Sequence, residues 1–171
     1  MRYLFCALML SLSSSAYSSS EQQCLLDKYR QYSEVRSQWQ YDSTVFIVER
    51  APQFQLVAEL YRDHQLTLIQ KSQQAVTLLL NGDSAVLAPE QNVQRWLSLT
   101  DEDELALVAS SEAYKALFEQ AAAQRARASH PDGDSLRLFL RTEVMPKPEF
   151  LALMKGFRSE IDRVNGIDCR S

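Results

Sequence analysis

The chain contains two histidines, His64 and His130, and each needs a close partner to move protons. His64 follows Asp63, a pairing that can tune an imidazole, but both fall in a segment whose polar residues read as a turn. His130 stands near Asp132, Asp134 and Ser135, the residue types of a hydrolase triad. Groups so close in sequence rarely converge with triad geometry, and the chain has no G-x-S-x-G elbow. Asp132, Asp134 and Glu143 match positions 1, 3 and 12 of an EF-hand frame. Leu136 then stands at position 5 and Arg137 where glycine is needed, so the calcium loop fails. The acidic block from Asp101 to Glu104 offers cation ligands, but also suits a solvated turn or the start of a helix. No catalytic, cofactor or metal site is expected from these groups.

Lys28-Tyr29-Arg30, with Tyr32, Arg36 and Trp39, interleaves base and aromatic as nucleic-acid binders do. The aromatics share one helical stripe, however, which points to burial. A formal net charge of −4 gives no reason to seek phosphate backbones, so nucleic acid is not an expected partner. With four glycines, no Walker A and no G-x-G-x-x-G, a phosphate-cradling loop is absent too.

The cysteines carry more information. Residues 1–18 have the grammar of a cleaved export signal: Arg2, an apolar stretch from Leu4 to Leu12, then small residues. Cleavage is expected after Ala16 or after Ser18. The stretch is too short for a membrane anchor, and no later run reaches the length a spanning helix needs. Neither Cys6 nor Cys24 follows a lipobox, their preceding triplets being Tyr3-Leu4-Phe5 and Glu21-Gln22-Gln23. Losing Cys6 with the signal leaves Cys24 and Cys169, an even pair in an oxidising compartment, and a disulfide is expected between them. A C-x-x-C redox motif is absent, and no histidine sits at zinc-ligand spacing.

Residues 19–171 are expected to form a single globular domain. Leu25, Tyr29, Tyr32, Val35 and Trp39 recur at helical spacing, and Asp42-Ser43 interrupts them. Val45 to Val48 favours a strand, and Phe54, Leu56, Ala58 and Leu60 alternate with more polar residues at period two. Leu66 to Ile69 and Val76 to Leu80 follow at turn-like intervals, and Asn81-Gly82-Asp83 suggests a hairpin to Ala85-Val86-Leu87. The alternative is one long helix from Pro52 to Asn81, with proline at its start and Gly82 as its cap. Val93–Leu99 and Leu105–Val108 suit either a hairpin or a helix capped by Thr100 with Asp103. Ser110 or Ser111 caps a helix carrying Tyr114, Leu117, Phe118 and Ala121. Leu136, Leu138 and Leu140 alternate as in a strand. Pro148 opens a last helix striped by Phe150, Leu153, Met154, Phe157, Ile161 and Val164, and closed by Asn165-Gly166.

The expected fold is α+β: an antiparallel β-meander with the N- and C-terminal helices packed on one face. An all-α helical bundle is the alternative. The expected product is an exported, periplasmic or secreted protein with no membrane insertion. Its expected role is a protein-binding module, such as an inhibitor, immunity factor or assembly adaptor. The alternative is a carrier of, or enzyme on, a small apolar ligand held between sheet and helices. Thiol labelling followed by mass measurement of the exported protein should find no free cysteine. Two labelled thiols would refute the bridge.

Overall fold

The computed structural model describes residues 18–82, 86–127 and 129–170. Apart from Ser18, the expected export signal lies outside the described residues, as does the Asp83 end of the expected hairpin turn. Six α-helices run in order: α1 Ser19–Arg50, α2 Gln55–Asn81, α3 Asp101–Ser110, α4 Glu112–Ala126, α5 Gly133–Phe139 and α6 Pro148–Asn165. Short 3-10 turns at Pro52–Phe54 and Val93–Arg95 and a π turn at Leu140–Val144 join them. The β-meander is therefore wrong, and the helical alternative holds. Among the described residues the one β feature is an isolated antiparallel bridge between Leu87 and Leu97.

The two long helices form an antiparallel hairpin, with α6 on the flank of α1 and α4 on the flank of α2. At 32 residues, α1 extends about 48 Å at the helical rise. Ser18 opens it by accepting a hydrogen bond from the Glu21 backbone N–H at 3.2 Å. The Asp42-Ser43 break does not occur, because the polar side chains find partners within the helix. Ser43 Oγ and Thr44 Oγ1 donate to the carbonyls of Trp39 and Gln40, each at 2.7 Å. Ile47 turns inward with Ala51, Phe54, Val57, Ala58 and Leu136, so packing overrides the strand preference of Val45 to Val48.

The period-two run fails for a similar reason. Leu56 is 61% exposed and Leu60 38%, whereas Val57, Ala58, Ile69, Ala75, Val76 and Leu80 are buried at helical spacing. Pro52 opens the 3-10 turn that leads into α2, and the Gly82 N–H closes the helix on the Leu78 carbonyl. Of the two readings of 93–108 the helix holds: α3 begins at Asp101 with a capping box between Thr100 and Asp103. Ser111 caps α4, whose buried residues are Tyr114 and Ala121. The expected strand at 136–140 is α5 and the start of the π turn, with Leu136 buried and Leu138 60% exposed.

One end of the hairpin is closed by polar contacts made from α1. Gln22 Nε2 donates to the Leu80 carbonyl at 2.6 Å and to Asn81 Oδ1 at 3.0 Å, satisfying the C-terminal end of α2. Nearly two turns on, the ammonium of the largely buried Lys28 donates to the Asn165 carbonyl at 3.1 Å and the Ile167 carbonyl at 2.6 Å. A cation at the end of α6 suits both the orphan carbonyls and the helix dipole. Its charge also sits 5.7 Å from the ring centre of Trp96, a fully buried side chain stacked on Tyr29. Beside this cluster Cys24 is bonded to Cys169, with Cα atoms 5.5 Å apart and a sequence separation of 145. In the chain-entropy account a loop of that length is worth about 5 kcal/mol.

Burial lowers the Lys28 pKa from its ordinary 10.5, and Asp168 pulls it partly back. The unfolded chain therefore binds this proton more tightly, so the group favours folding increasingly as pH climbs through the depressed value towards 10.5. Replacing Lys28 with methionine should cost about 1–3 kcal/mol in urea unfolding at neutral pH, because two helix-end carbonyls lose their donor. The gap between wild type and variant should widen in alkali. An unchanged stability, or a gap that narrows with pH, would contradict this assignment.

Candidate docking groove between the first and last helices

The structure disperses the residues that looked able to do chemistry. His64 lies on α2 and faces α4, its Nδ1 3.1 Å from Gln124 Oε1, while Asp63 pairs with Arg62. Next to it Gln120 donates to Thr67 Oγ1 at 3.2 Å, so these polar groups join two helices. His130 Nδ1 accepts from the Asp132 backbone N–H at 3.2 Å, a local turn. Asp134 pairs with Arg137 on α5, and Glu143 stands in the π turn. Among the described residues no three His, Cys, Asp or Glu side chains gather as a metal site.

Asp101 to Glu104 form the first turn of α3, where negative charge suits the helix dipole. Two hydrogen bonds from Thr100 hold the Asp103 carboxyl below its usual range. Glu104 pairs with Lys71 of α2, tying α3 to the hairpin above the buried Tyr114 ring. Burial and the neighbouring Glu104 charge push the Tyr114 hydroxyl up. That hydroxyl makes no hydrogen bond among the described residues. In the base-and-aromatic run of α1, Lys28, Tyr29 and Tyr32 are buried, while Arg30 faces solvent. Burial raises the Tyr29 phenol to about 12, so it stays neutral.

Trp39 is the exception in that stripe. It is half-buried and touches two rings of α6, Phe150 at 5.7 Å and Phe157 at 5.0 Å between centres. Trp39 and Phe157 line a groove of about 530 Å³ between α1 and α6. Val35 and Trp39 come from α1, and Ala152, Leu153, Gly156 and Phe157 come from α6. Glu34, Gln38 and Asp42 of α1 and Glu160 of α6 complete the lining, so every charged lining residue is a carboxylate. Gln38 Nε2 donates to Asp42 Oδ1 at 2.7 Å, holding that side of the rim. Glu160 is accompanied by Arg163 at 2.8 Å and Glu34 by Arg30 at 4.0 Å, both solvent-exposed pairs within one helix.

The floor residues were visible in sequence, but as ordinary core stripes of two helices. What the stripes did not show was that a groove stays open beside Trp39, while Tyr32, Ile161 and Val164 are buried further along the seam. One local signal was available: Gly156 interrupts the middle of an otherwise well-formed helix. A Cβ built on Gly156 would have no atom within 4 Å, and no described glycine has positive φ. Neither backbone conformation nor packing inside this chain asks for glycine there, although it weakens the helix.

Replacing Gly156 with alanine should therefore stabilise the protein by about 0.5–1 kcal/mol in urea unfolding. A loss of stability would show a steric demand that the structure lacks. No protein-family model, curated protein or solved structure matches this chain.

Proposed function

We propose that the chain is an exported helical binding module that docks another protein in the groove between α1 and α6. An inhibitor, an immunity factor or an assembly adaptor all fit this description. The observation that carries the reading is the groove itself: an open apolar floor around Trp39 and Phe157, bordered by carboxylates. An exposed apolar surface with a polar border is the usual anatomy of a protein contact. Binding between two helices that are already packed needs no rearrangement of the fold.

Export is supported by the leader-like pattern of residues 1–18 and by the Cys24–Cys169 bond, which suits an oxidising compartment. Among the described residues no helix is long and apolar enough to cross a membrane. The capping role of Ser18 favours cleavage after Ala16, since cleavage after Ser18 would remove a cap worth about 1 kcal/mol. The product then acts in the periplasm or outside the cell.

Photo-cross-linking in cells that export the protein tests the docking reading. A photoreactive residue at Ala152, in the groove, should yield one discrete protein adduct. The same residue at Leu105, exposed on α3, should not. A small apolar molecule retained in native mass spectra, with no adduct from Ala152, would instead assign the groove to a carrier.

A further inference from the structure

We infer that the α1–α6 groove is built for a cationic amphipathic helix, about two turns of which lie against Trp39 and Phe157. This rests on the docking reading above and adds the chemistry of the partner. The groove is framed by two helices, so a third can lay its ridge between them by ordinary helix packing. From Glu34 to Asp42 the α1 wall is about 12 Å long at the helical rise, which matches apolar anchors at i, i+3 or i+4, and i+7. Among the described residues the sheet content is a single bridge, so strand addition has no edge to extend.

Charge selects the sign of the partner. Glu34, Asp42 and Glu160 stand at the rim, and the lining holds no cation to balance them. Arg30 and Arg163 sit beside two of these carboxylates, but as exposed same-helix pairs with little hold on them. A lysine or arginine on the flank of an incoming helix can therefore take the free side of each carboxylate. The same rim disfavours a second copy of this chain, which carries a net charge of −4, and an anionic lipid surface.

Gly156 completes the argument. With no atom within 4 Å of a Cβ there, the missing side chain leaves empty space at the groove rather than room for a neighbour in this chain. A glycine between Leu153 and Phe157 lets the backbone of a docked helix approach α6 closely, as small residues do at helix crossings. Nothing in this chain packs against the position, so the space beside it is open to an occupant from outside.

The test uses two synthetic fourteen-residue amphipathic peptides sharing one leucine stripe, one with lysines on its flanks and one with glutamates. Each is titrated into the mature, oxidised protein at low salt, and tryptophan emission is followed. Trp96 is fully buried and Trp39 is not, so Trp39→Phe identifies the responding ring. The lysine peptide should perturb Trp39 and bind at least about tenfold more tightly than the glutamate peptide. Gly156→Leu, which fills the floor without altering charge, should abolish binding, and Asp42→Lys should weaken it by about tenfold. Circular dichroism confirms that both variants fold. Equal affinities for the two peptides, or an unchanged affinity in Gly156→Leu, would overturn the inference. Binding of dodecyltrimethylammonium where the lysine peptide fails would overturn it in favour of a small cationic amphiphile. If the lysine peptide fails while Ala152 still cross-links to a protein, the partner chemistry is wrong and the docking reading stands. Peptide binding without any cross-linked partner supports the groove chemistry and counts against the docking reading.

Discussion

The Lys28 ammonium, part-buried against the end of α6, is the contact around which the arrangement of helices is organised. An isolated buried charge is costly, so the groups that receive it must be held in place. The receivers are the end of α6 and the segment after it, through the Asn165 and Ile167 carbonyls. Asn165 passes the constraint on, since its side chain accepts from the Val93 N–H at 2.8 Å and donates to Gln94 at 3.1 Å. The long connection between α2 and α3 is thereby fixed, with Trp96 plugged beneath it and its indole N–H donated to the Gln91 carbonyl. The disulfide lies alongside and keeps the tail near α1 in the unfolded chain as well. Three parts of the chain far apart in sequence meet around one side chain.

That clamp sets up an asymmetry along the α1–α6 seam. At its end, Tyr32, Ile161 and Val164 are buried in one cluster with Leu25 and Tyr29. Nearer the hairpin turn the helices touch through large rings, Trp39 and Phe46 against Phe150 and Phe157. Gly156 puts no side chain into the groove beside those rings. The acidic residues that border it set the sign of charge that suits a covering partner.

Much of this was legible in the residues, and the failures have physical causes. The pairing of Cys24 with Cys169, the stripe of α6, the cap at Ser111 and the side-by-side first and last helices follow from cysteine arithmetic and helical period. The stretch from Val45 to Leu60 misled because local propensity and short alternation point to strands there. Polar side chains that bond back to their own helix, as Ser43 and Thr44 do, look identical in sequence to residues that end one. Exposed leucines such as Leu56 and Leu60 supplied a false period of two. The groove was not legible because its floor uses the same apolar residues as a closed seam. Whether two stripes meet fully depends on ring sizes across the contact and on a clamp formed more than a hundred residues away in sequence.

The most direct test of this account is collisional quenching of tryptophan emission by caesium and by iodide, each normalised to free indole. The emission lost in Trp39→Phe should be quenched more efficiently by caesium than by iodide, because the accessible ring lies among carboxylates. The remaining emission, from Trp96, should resist both. Iodide quenching of Trp39 that equals or exceeds that of caesium would contradict the acidic groove. Protection of Trp39 from both ions would show that the seam is closed along its whole length.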